Sequence, residues 1–195
     1  MSGIVGDNQG RSSGLVKAVS GGGGLLQIKS TTKNDVWTST DNGPIAITGL
    51  SVAITPTLST SKILVRATIV TCGSDNTYHN LHLYRDIGGG GYSILSGAIG
   101  DSTGGTYGGT AYTRATTQCH SKSGSTHQWH PEQVGFEHLD APSTTSAVTY
   151  AVYRDNYSTG TPSHSINEQE NSNDAVSDGR YISTITAMEF AVGVL

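Results

Sequence analysis

Histidines are the residues of this chain that could most readily hold a metal ion. Four of the seven, His120, His127, His130 and His138, fall between residues 120 and 138. A zinc site needs three or four converging nitrogen, sulfur or carboxylate ligands, and a loop in this stretch could supply them. The spacing does not fix that convergence. We therefore expect polar surface and interface histidines here, with no metal and no cofactor.

A second pair, His79 and His82, cannot serve one ion on a regular strand. Residues three apart on a strand point to opposite faces of the sheet, so both rings would reach one ion only across a bulge. The two cysteines, Cys72 and Cys119, are too few for a disulfide framework. We expect both to be buried free thiols of a protein made in a reducing cytoplasm.

The other chemically capable groups do not form a recognisable catalytic motif. No Gly-x-Ser-x-Gly elbow precedes a helix, and the glycine runs 21–24 and 88–91 lack the Lys-Ser/Thr ending of a phosphate loop. Two carboxylates could act as a glycosidase pair, but the available ones lie mostly in polar stretches: Glu132, Glu137, Asp140, Glu168 and Glu170. The sequence therefore predicts a protein that is not an enzyme.

Aromatic residues are concentrated in predicted turns and loops. The chain has nine tyrosines and two tryptophans. Those in turns and loops include Tyr92, Tyr107, Tyr112, Trp129, Tyr153 and Tyr157. Exposed aromatic rings suit weak recognition of carbohydrate or protein, whereas packing against a neighbouring strand explains any single ring equally well. Both interpretations stay open.

Short segments in which apolar and polar residues alternate predict the β-strands that position these groups. The strongest is Lys62–Thr71, in which Ile63, Val65, Ala67 and Ile69 share one face. The other predicted strands cover residues 25–29, 45–55, 78–85, 92–95, 111–119, 134–138, 147–154 and 181–194. Because no segment has a helical period, the pattern indicates an all-β sandwich or barrel. The polar stretch 156–179 is predicted to be an exposed loop, and the long final strand to lie inside a sheet.

Residues 1–24 have a different composition from the rest. They end in a four-glycine run, which is typical of a flexible hinge. A solvated tail has little use for the apolar pairs Ile4-Val5 and Leu15-Val16. We therefore predict an extended anchoring arm that binds a partner through Ile4, Val5, Leu15 and Val16.

The composition excludes several functional classes. The chain has 195 residues, a net charge of −4, 34% hydrophobic residues and 13% charged residues. These values fit one folded domain with a small core. Contacts between copies of the chain would then supply part of the apolar burial. Without clustered Lys and Arg we expect no nucleic-acid partner. Without an apolar run of roughly 20 residues, or the basic and apolar regions of a Sec signal, we expect no membrane association and no secretion signal.

Nine short stretches, spread in order along nearly the whole chain, resemble one group of proteins. They are Ser2–Gly6, Ser13–Lys17, Leu26–Lys33, Leu50–Pro56, Ser61–Val65, Leu83–Asp86, Leu139–Pro142, Thr149–Tyr150 and Ile185–Phe190. Together they resemble structural proteins of tailed bacteriophages, especially marine and cyanobacterial phages. The resemblance implies a jelly-roll sandwich, often trimeric, that serves as head decoration, cement, head fibre or tail-fibre tip.

We therefore predict an all-β protein with a jelly-roll-like antiparallel β-sandwich over residues 25–195, preceded by the arm and assembled as a homotrimer. The predicted function is that of a non-enzymatic phage virion structural protein, namely a capsid decoration, cement or head-fibre protein. It would assemble in the host cytoplasm, and its arm would anchor it to the major capsid protein or to a tail or fibre component. The alternative is a tail-fibre or spike domain that recognises host surface glycans through loops near residues 100–130 and 156–179.

Overall fold

The computed structural model describes residues 24–73, 77–101, 106–107, 110–111, 114–121, 130–156, 163–169 and 178–191. Within them the chain forms thirteen strands: β1 (Leu25–Lys33), β2 (Trp37–Ser39), β3 (Ile45–Ile54), β4 (Lys62–Gly73), β5 (Thr77–Ile87), β6 (Ser93–Ile94), β7 (Thr106–Tyr107), β8 (Thr110–Ala111), β9 (Thr117–Ser121), β10 (Glu132–Asp140), β11 (Val148–Asn156), β12 (His164–Ile166) and β13 (Ser183–Phe190). Ser96–Ala98 forms one turn of 3-10 helix. No helix in this part of the chain is long and apolar enough to cross a membrane.

The main strands form two antiparallel sheets. The first sheet has the order β1-β13-β4-β10, with β12 and β2 continuing beside the far end of β4. The second has the order β3-β11-β5-β9, with β6 also paired to β5. Two packed four-stranded sheets, between which the chain crosses repeatedly, make a jelly roll, which confirms the predicted fold. The last strand, β13, lies between β1 and β4, as its length predicted.

Alternating residues of both sheets face each other and form the core. In β4 the predicted face of Ile63, Val65, Ala67 and Ile69 is buried. In β3 the inward positions change phase, because Ile47 and then Leu50, Val52 and Ile54 are all buried. β3 has three more residues than β11 between the pairs Ser51–Ala151 and Ala46–Tyr153, and an odd number of extra residues shifts the alternation. The change of phase lies at the register shift between β3 and β11, where Gly49 has a φ of +83° that favours glycine.

The prediction of an exposed loop over 156–179 is wrong for residues 163–169. There β12 pairs with both β4 and β2, and Asn167 is buried with a φ of +67°. The Asn167 side chain donates to the carbonyls of Lys33 and Asp35, at 2.9 and 3.1 Å, and accepts from Ser183 Oγ at 2.7 Å. These bonds offset the cost of burying a polar group, so a polar segment can lie inside the fold.

A second buried polar group fastens the turn after β3 to the last strand. The carboxylate of Glu189 is fully buried and accepts from the Thr57 backbone N, Ser61 Oγ and Gln27 Nε2, each at 2.6 Å, and from Thr57 Oγ1 at 3.0 Å. Burial alone would raise the pKa of Glu189, but these donors outweigh it and lower the pKa below its usual value. Glu189 is therefore an anion held by the fold.

A third polar cluster joins the two sheets at the end of β10. Arg85 Nη1 lies 2.8 Å from both carboxylate oxygens of Asp140, and the buried Tyr150 hydroxyl donates to Asp140 Oδ2 at 2.7 Å. Arg85 and Tyr150 belong to the second sheet and Asp140 to the first. The ion pair therefore fixes the spacing of the sheets as well as satisfying a buried carboxylate.

Candidate assembly surface

The outer face of the first sheet has an apolar row that crosses all four strands. The register places Ile28 of β1 beside Met188 of β13, Met188 beside Leu64 of β4, and Leu64 beside Leu139 of β10. The two outermost residues are the most exposed, Ile28 at 52% and Leu139 at 43%. A continuous apolar row marks an interaction surface more often than scattered single residues do.

An open depression lies beside this row, between β4 and β10. Its volume is about 420 Å³, and it is lined by residues 66–68 and 133–137. The depression includes Gly135, which has no side chain to fill it. A Cβ at this position would lie 2.9 Å from the carbonyl oxygen of Ala67. Arg66 of β4 and Glu137 of β10 are paired in the register, and both line the depression with exposed side chains. Among the described residues they form no ion pair with each other, so both charges are open to a partner.

The predicted anchor residues Ile4, Val5, Leu15 and Val16 lie outside the described residues, and their partner role stays a prediction. The described chain begins at Gly24, whose carbonyl accepts from the Ala191 amide at 3.1 Å. That bond places the start of the described chain beside the end of β13. The loops predicted to recognise glycans, near 100–130 and 156–179, also lie largely outside the described residues.

Only two of the four histidines between residues 120 and 138 have side chains that the structure describes. His127 lies outside the described residues, the side chain of His120 is not described, His130 is exposed, and His138 is half-buried near Gly97. In the part of the chain that the structure describes, no three His, Cys, Asp or Glu side chains converge as metal ligands would.

Two other histidines, His79 and His164, meet inside the sandwich, a contact that no sequence pattern predicted. His79 and His82 point to opposite sides of β5, as alternation predicts. The His79 ring stacks on His164 of β12 with centroids 4.1 Å apart, and His82 Nε2 lies 3.1 Å from Asp155 Oδ2. Thr71 Oγ1 lies 2.5 Å from His164 Nε2. Burial lowers the pKa of His164 well below its usual value, and His79 and Arg154 lower it further, so the ring is neutral.

Both cysteines are buried and free. Burial raises the pKa of Cys119 to about 12, against a weaker opposing effect of a hydrogen bond with Thr71. Because the thiolate is the reactive form of cysteine, Cys119 is inert at neutral pH. The prediction of two buried cysteines outside any disulfide is confirmed.

Three tyrosines form a second distinctive surface, on the outer face of the second sheet. Tyr84 of β5 stacks on Tyr153 of β11 with ring centroids 3.9 Å apart, and Tyr92 is tilted against Tyr153 at 5.6 Å. Tyr92 is 41% exposed, and the other two are half-buried. Tyr92 and Tyr153 were among the aromatic residues that the sequence left open between packing and recognition. In the structure they pack on each other and still present ring surface to solvent.

No protein-family model matches the chain, and no curated protein matches it. Among solved structures, a chain in the structure of the infectious bursal disease virus Gx strain has a distant likeness, with a TM-score of 0.35 and 12% sequence identity. The match covers 85% of this chain and 42% of that chain, so this chain spans less than half the length of the other. The jelly-roll assignment itself follows from the strand order and register described above.

Proposed function

We propose that this protein is a non-enzymatic structural component of a phage particle, most simply a capsid decoration, cement or head-fibre protein. Its body would assemble as a homotrimer, and its N-terminal arm would bind the capsid or another virion protein. The observation that carries the proposal is the exposed apolar row on the outer face of a complete jelly roll. The resemblance of nine short stretches to tailed-phage structural proteins supports the same class.

The buried polar groups support a structural role for the protein, because their hydrogen bonds stabilise the fold. Glu189, Asp140 and Asn167 each have their hydrogen-bonding partners within the sandwich. Many weak contacts, multiplied by the symmetry of a shell, give stable attachment without a large interface in each subunit. Attachment of this kind would depend on exposed apolar contacts and would not require a reactive centre.

Counting copies in purified particles tests the virion role. Quantitative mass spectrometry should find the protein at a copy number that matches the capsid lattice. A virion with only a few copies would contradict decoration and favour a fibre tip, and no copies at all would contradict the virion role.

Replacing the predicted anchors tests the arm. A variant with Ile4, Val5, Leu15 and Val16 all changed to Ser should lose attachment to heads and keep the melting temperature of the wild-type body. Leu58→Ser is the matched control, because Leu58 is an exposed apolar residue of the body. Unchanged attachment of the four-residue variant would refute the arm.

The tyrosine surface favours a second function, recognition of host glycans by a tail-fibre or spike domain. Aromatic rings bind sugar rings through apolar contact, and Tyr84, Tyr92 and Tyr153 offer such rings on one face. The isolated protein should then bind host cells or a glycan array, and Tyr92→Ala with Tyr153→Ala should abolish that binding. Tyr78→Ala, at an exposed tyrosine outside the group, should not. Wild-type protein that binds neither cells nor glycans would exclude this alternative.

A further inference from the structure

We propose that β12 is the moving part of a pH-sensitive switch: acid protonates His164, and β12 then separates from β4 while the rest of the two sheets stays paired. The switch belongs to the folded body of the chain and does not depend on the virion role proposed above. It is built from a buried cluster of histidine, arginine and threonine side chains that takes no part in the assembly surface.

The ring of His164 is buried at the centre of this cluster. It stacks on His79 of β5, with centroids 4.1 Å and planes 11° apart, and it meets Trp37 of β2 edge-on at 6.1 Å. Its Nε2 lies 2.5 Å from Thr71 Oγ1, whereas its Nδ1 is buried without a hydrogen-bond partner among the described residues. A protonated imidazole donates from both nitrogens, so a positive ring in this position would hold a buried N–H that no acceptor in the described chain satisfies.

A second obstacle to protonation is the buried guanidinium of Arg154 in β11. Arg154 is fully buried, and its Nε and Nη2 have no hydrogen-bond partner in the described part of the chain. Its Nη1 donates to the Asp41 carbonyl, and the carboxylates of Asp155 and Asp41 partly offset its charge. Burial lowers the pKa of His164 most, and His79 and Arg154 lower it further, because positive charges repel strongly in a low-dielectric interior. The closed cluster therefore holds His164 as a neutral ring.

The other titratable groups at this end of the sandwich do not supply a counter-charge. Cys72 of β4 and Cys119 of β9 are buried free thiols, and burial raises the pKa of Cys119 to about 12. Glu132 of β10 is opposite Thr71 in the register, but its side chain is exposed. The strand β2 contributes no acid or base. Within the described residues, His164 therefore has no carboxylate partner that would stabilise its charged form.

Few pairings attach β12 to the sheet. It has three residues, and it pairs with three residues of β4 and three of β2. By contrast, β4 pairs with β13 over seven residues and with β10 over nine. Short segments with few pairings open at a lower free energy than the whole fold. Opening of β12 would bring His164 into water, where its pKa returns to about 6.5.

Falling pH should therefore favour the open form. The pKa of His164 is lower in the closed form than in the open form, so the closed form keeps its full stability above the open value of about 6.5 and loses it as the pH falls from there toward the closed value. A single proton that binds only the open form increases the opening equilibrium constant about 25-fold between pH 7 and pH 5.

Hydrogen exchange of the native protein, followed by mass spectrometry and corrected for the intrinsic rate at each pH, measures this opening. The protection of the β12 amides should fall about 25-fold from pH 7 to pH 5, while that of residues 63–69 of β4 should not change. Equal protection of β12 at the two pH values would overturn the switch. An equal loss of protection in β12 and β4 would overturn local opening, since it would mean that the whole body unfolds.

Two histidine variants identify the titrating group. His164→Gln keeps a neutral polar side chain at the position and should lose most of the pH dependence of β12 protection. His138→Gln, at a half-buried histidine of β10 outside the cluster, is the matched control and should keep the wild-type fall. Because the readout is the ratio between two pH values, an equal loss of stability at both does not affect it. Wild-type pH dependence in His164→Gln would overturn the role of His164.

A fluorescence measurement tests the switch even if His164→Gln does not fold. The chain has two tryptophans, so Trp129→Phe leaves Trp37, beside His164, as the sole tryptophan. Its emission should shift to longer wavelength as the pH falls from about 7 to about 5, because Trp37 then loses its packing against the core. Far-UV circular dichroism should keep the strand signal over the same range. Unchanged Trp37 emission would refute the opening of β12.

Discussion

Removing the charge of Glu189 tests whether the buried carboxylate holds the turn 55–61 to the last strand. In Glu189→Gln the side chain keeps its shape, but one of its two oxygens becomes an NH2 group. Each oxygen now accepts two hydrogen bonds. The new NH2 group would face donors, whichever way the amide turns. The substitution therefore removes hydrogen bonds that the carboxylate accepts and places one N–H donor against another donor in a buried site.

The expected cost follows from those contacts. A hydrogen bond to a charged group contributes about 1.5–3 kcal/mol, and a neutral one about 1 kcal/mol. Losing at least one charged bond and weakening the others gives an expected loss of about 2–4 kcal/mol in the free energy of unfolding. For a chain of this length, 1 kcal/mol lowers the melting temperature by about 2–4 °C. We expect a decrease of roughly 4–16 °C.

Urea unfolding of both proteins at one protein concentration, followed by circular dichroism from pH 7 to about pH 3, measures the loss and its pH dependence. The pKa of Glu189 is lowered in the folded protein, so its contribution is present above the unfolded value, about 4.3. That contribution is lost as the pH falls through the lower folded value. The difference between wild type and Glu189→Gln should be constant from pH 7 to pH 5 and shrink below pH 4.3. A difference under about 0.5 kcal/mol at pH 7, at most a quarter of the expected loss, would refute the reasoning.

Further substitutions test other parts of the fold. Asn167→Asp should lower stability by about 3 kcal/mol, because an acceptor would face two buried carbonyls that now receive hydrogen bonds; a neutral effect in urea unfolding would contradict the buried role of β12. Gly135→Ala should cost about 1–3 kcal/mol through overpacking, whereas Gly43→Ala, where a Cβ meets nothing within 4 Å, should not reduce the melting temperature. Cys119 should react with a thiol reagent at pH 8 only after unfolding, since its pKa is about 12; rapid labelling of native protein would show that its setting is open.

The alternation of apolar and polar residues was enough to predict those strands in which every second residue is buried. The β4 face of Ile63, Val65, Ala67 and Ile69 is such a case, and the central place of β13 is another. The change of phase at Gly49 was not predictable, because a bulge depends on how β3 pairs with β11. The buried β12 was missed for a related reason. Its polar residues are stable inside only because partners distant in sequence, such as Lys33 and Ser183, satisfy them.

The candidate surface was even less accessible to sequence reasoning. Ile28, Leu64, Leu139 and Met188 come from four strands, and nothing local shows that they form one row. Their alignment requires the register of three strand pairs at once. The sequence drew attention to histidines and to residues 1–24 because those features are local in the chain. The exposed apolar row, which supports the proposed function most directly, arises only from tertiary pairing.

The pairing of β1 with β13 also sets the order in which this protein can mature. Leu25 pairs with Phe190, so β1 gains its neighbour in the sheet only after the segment through Phe190 has been synthesised. Until then β1 is an unsatisfied strand on a growing polypeptide, and contacts that span so much sequence form slowly. Chains cut short before residue 183 would keep β1 without its neighbour and would be prone to aggregate. Only chains that already include β13 possess the apolar row that we assign to assembly, so association follows the synthesis of that strand.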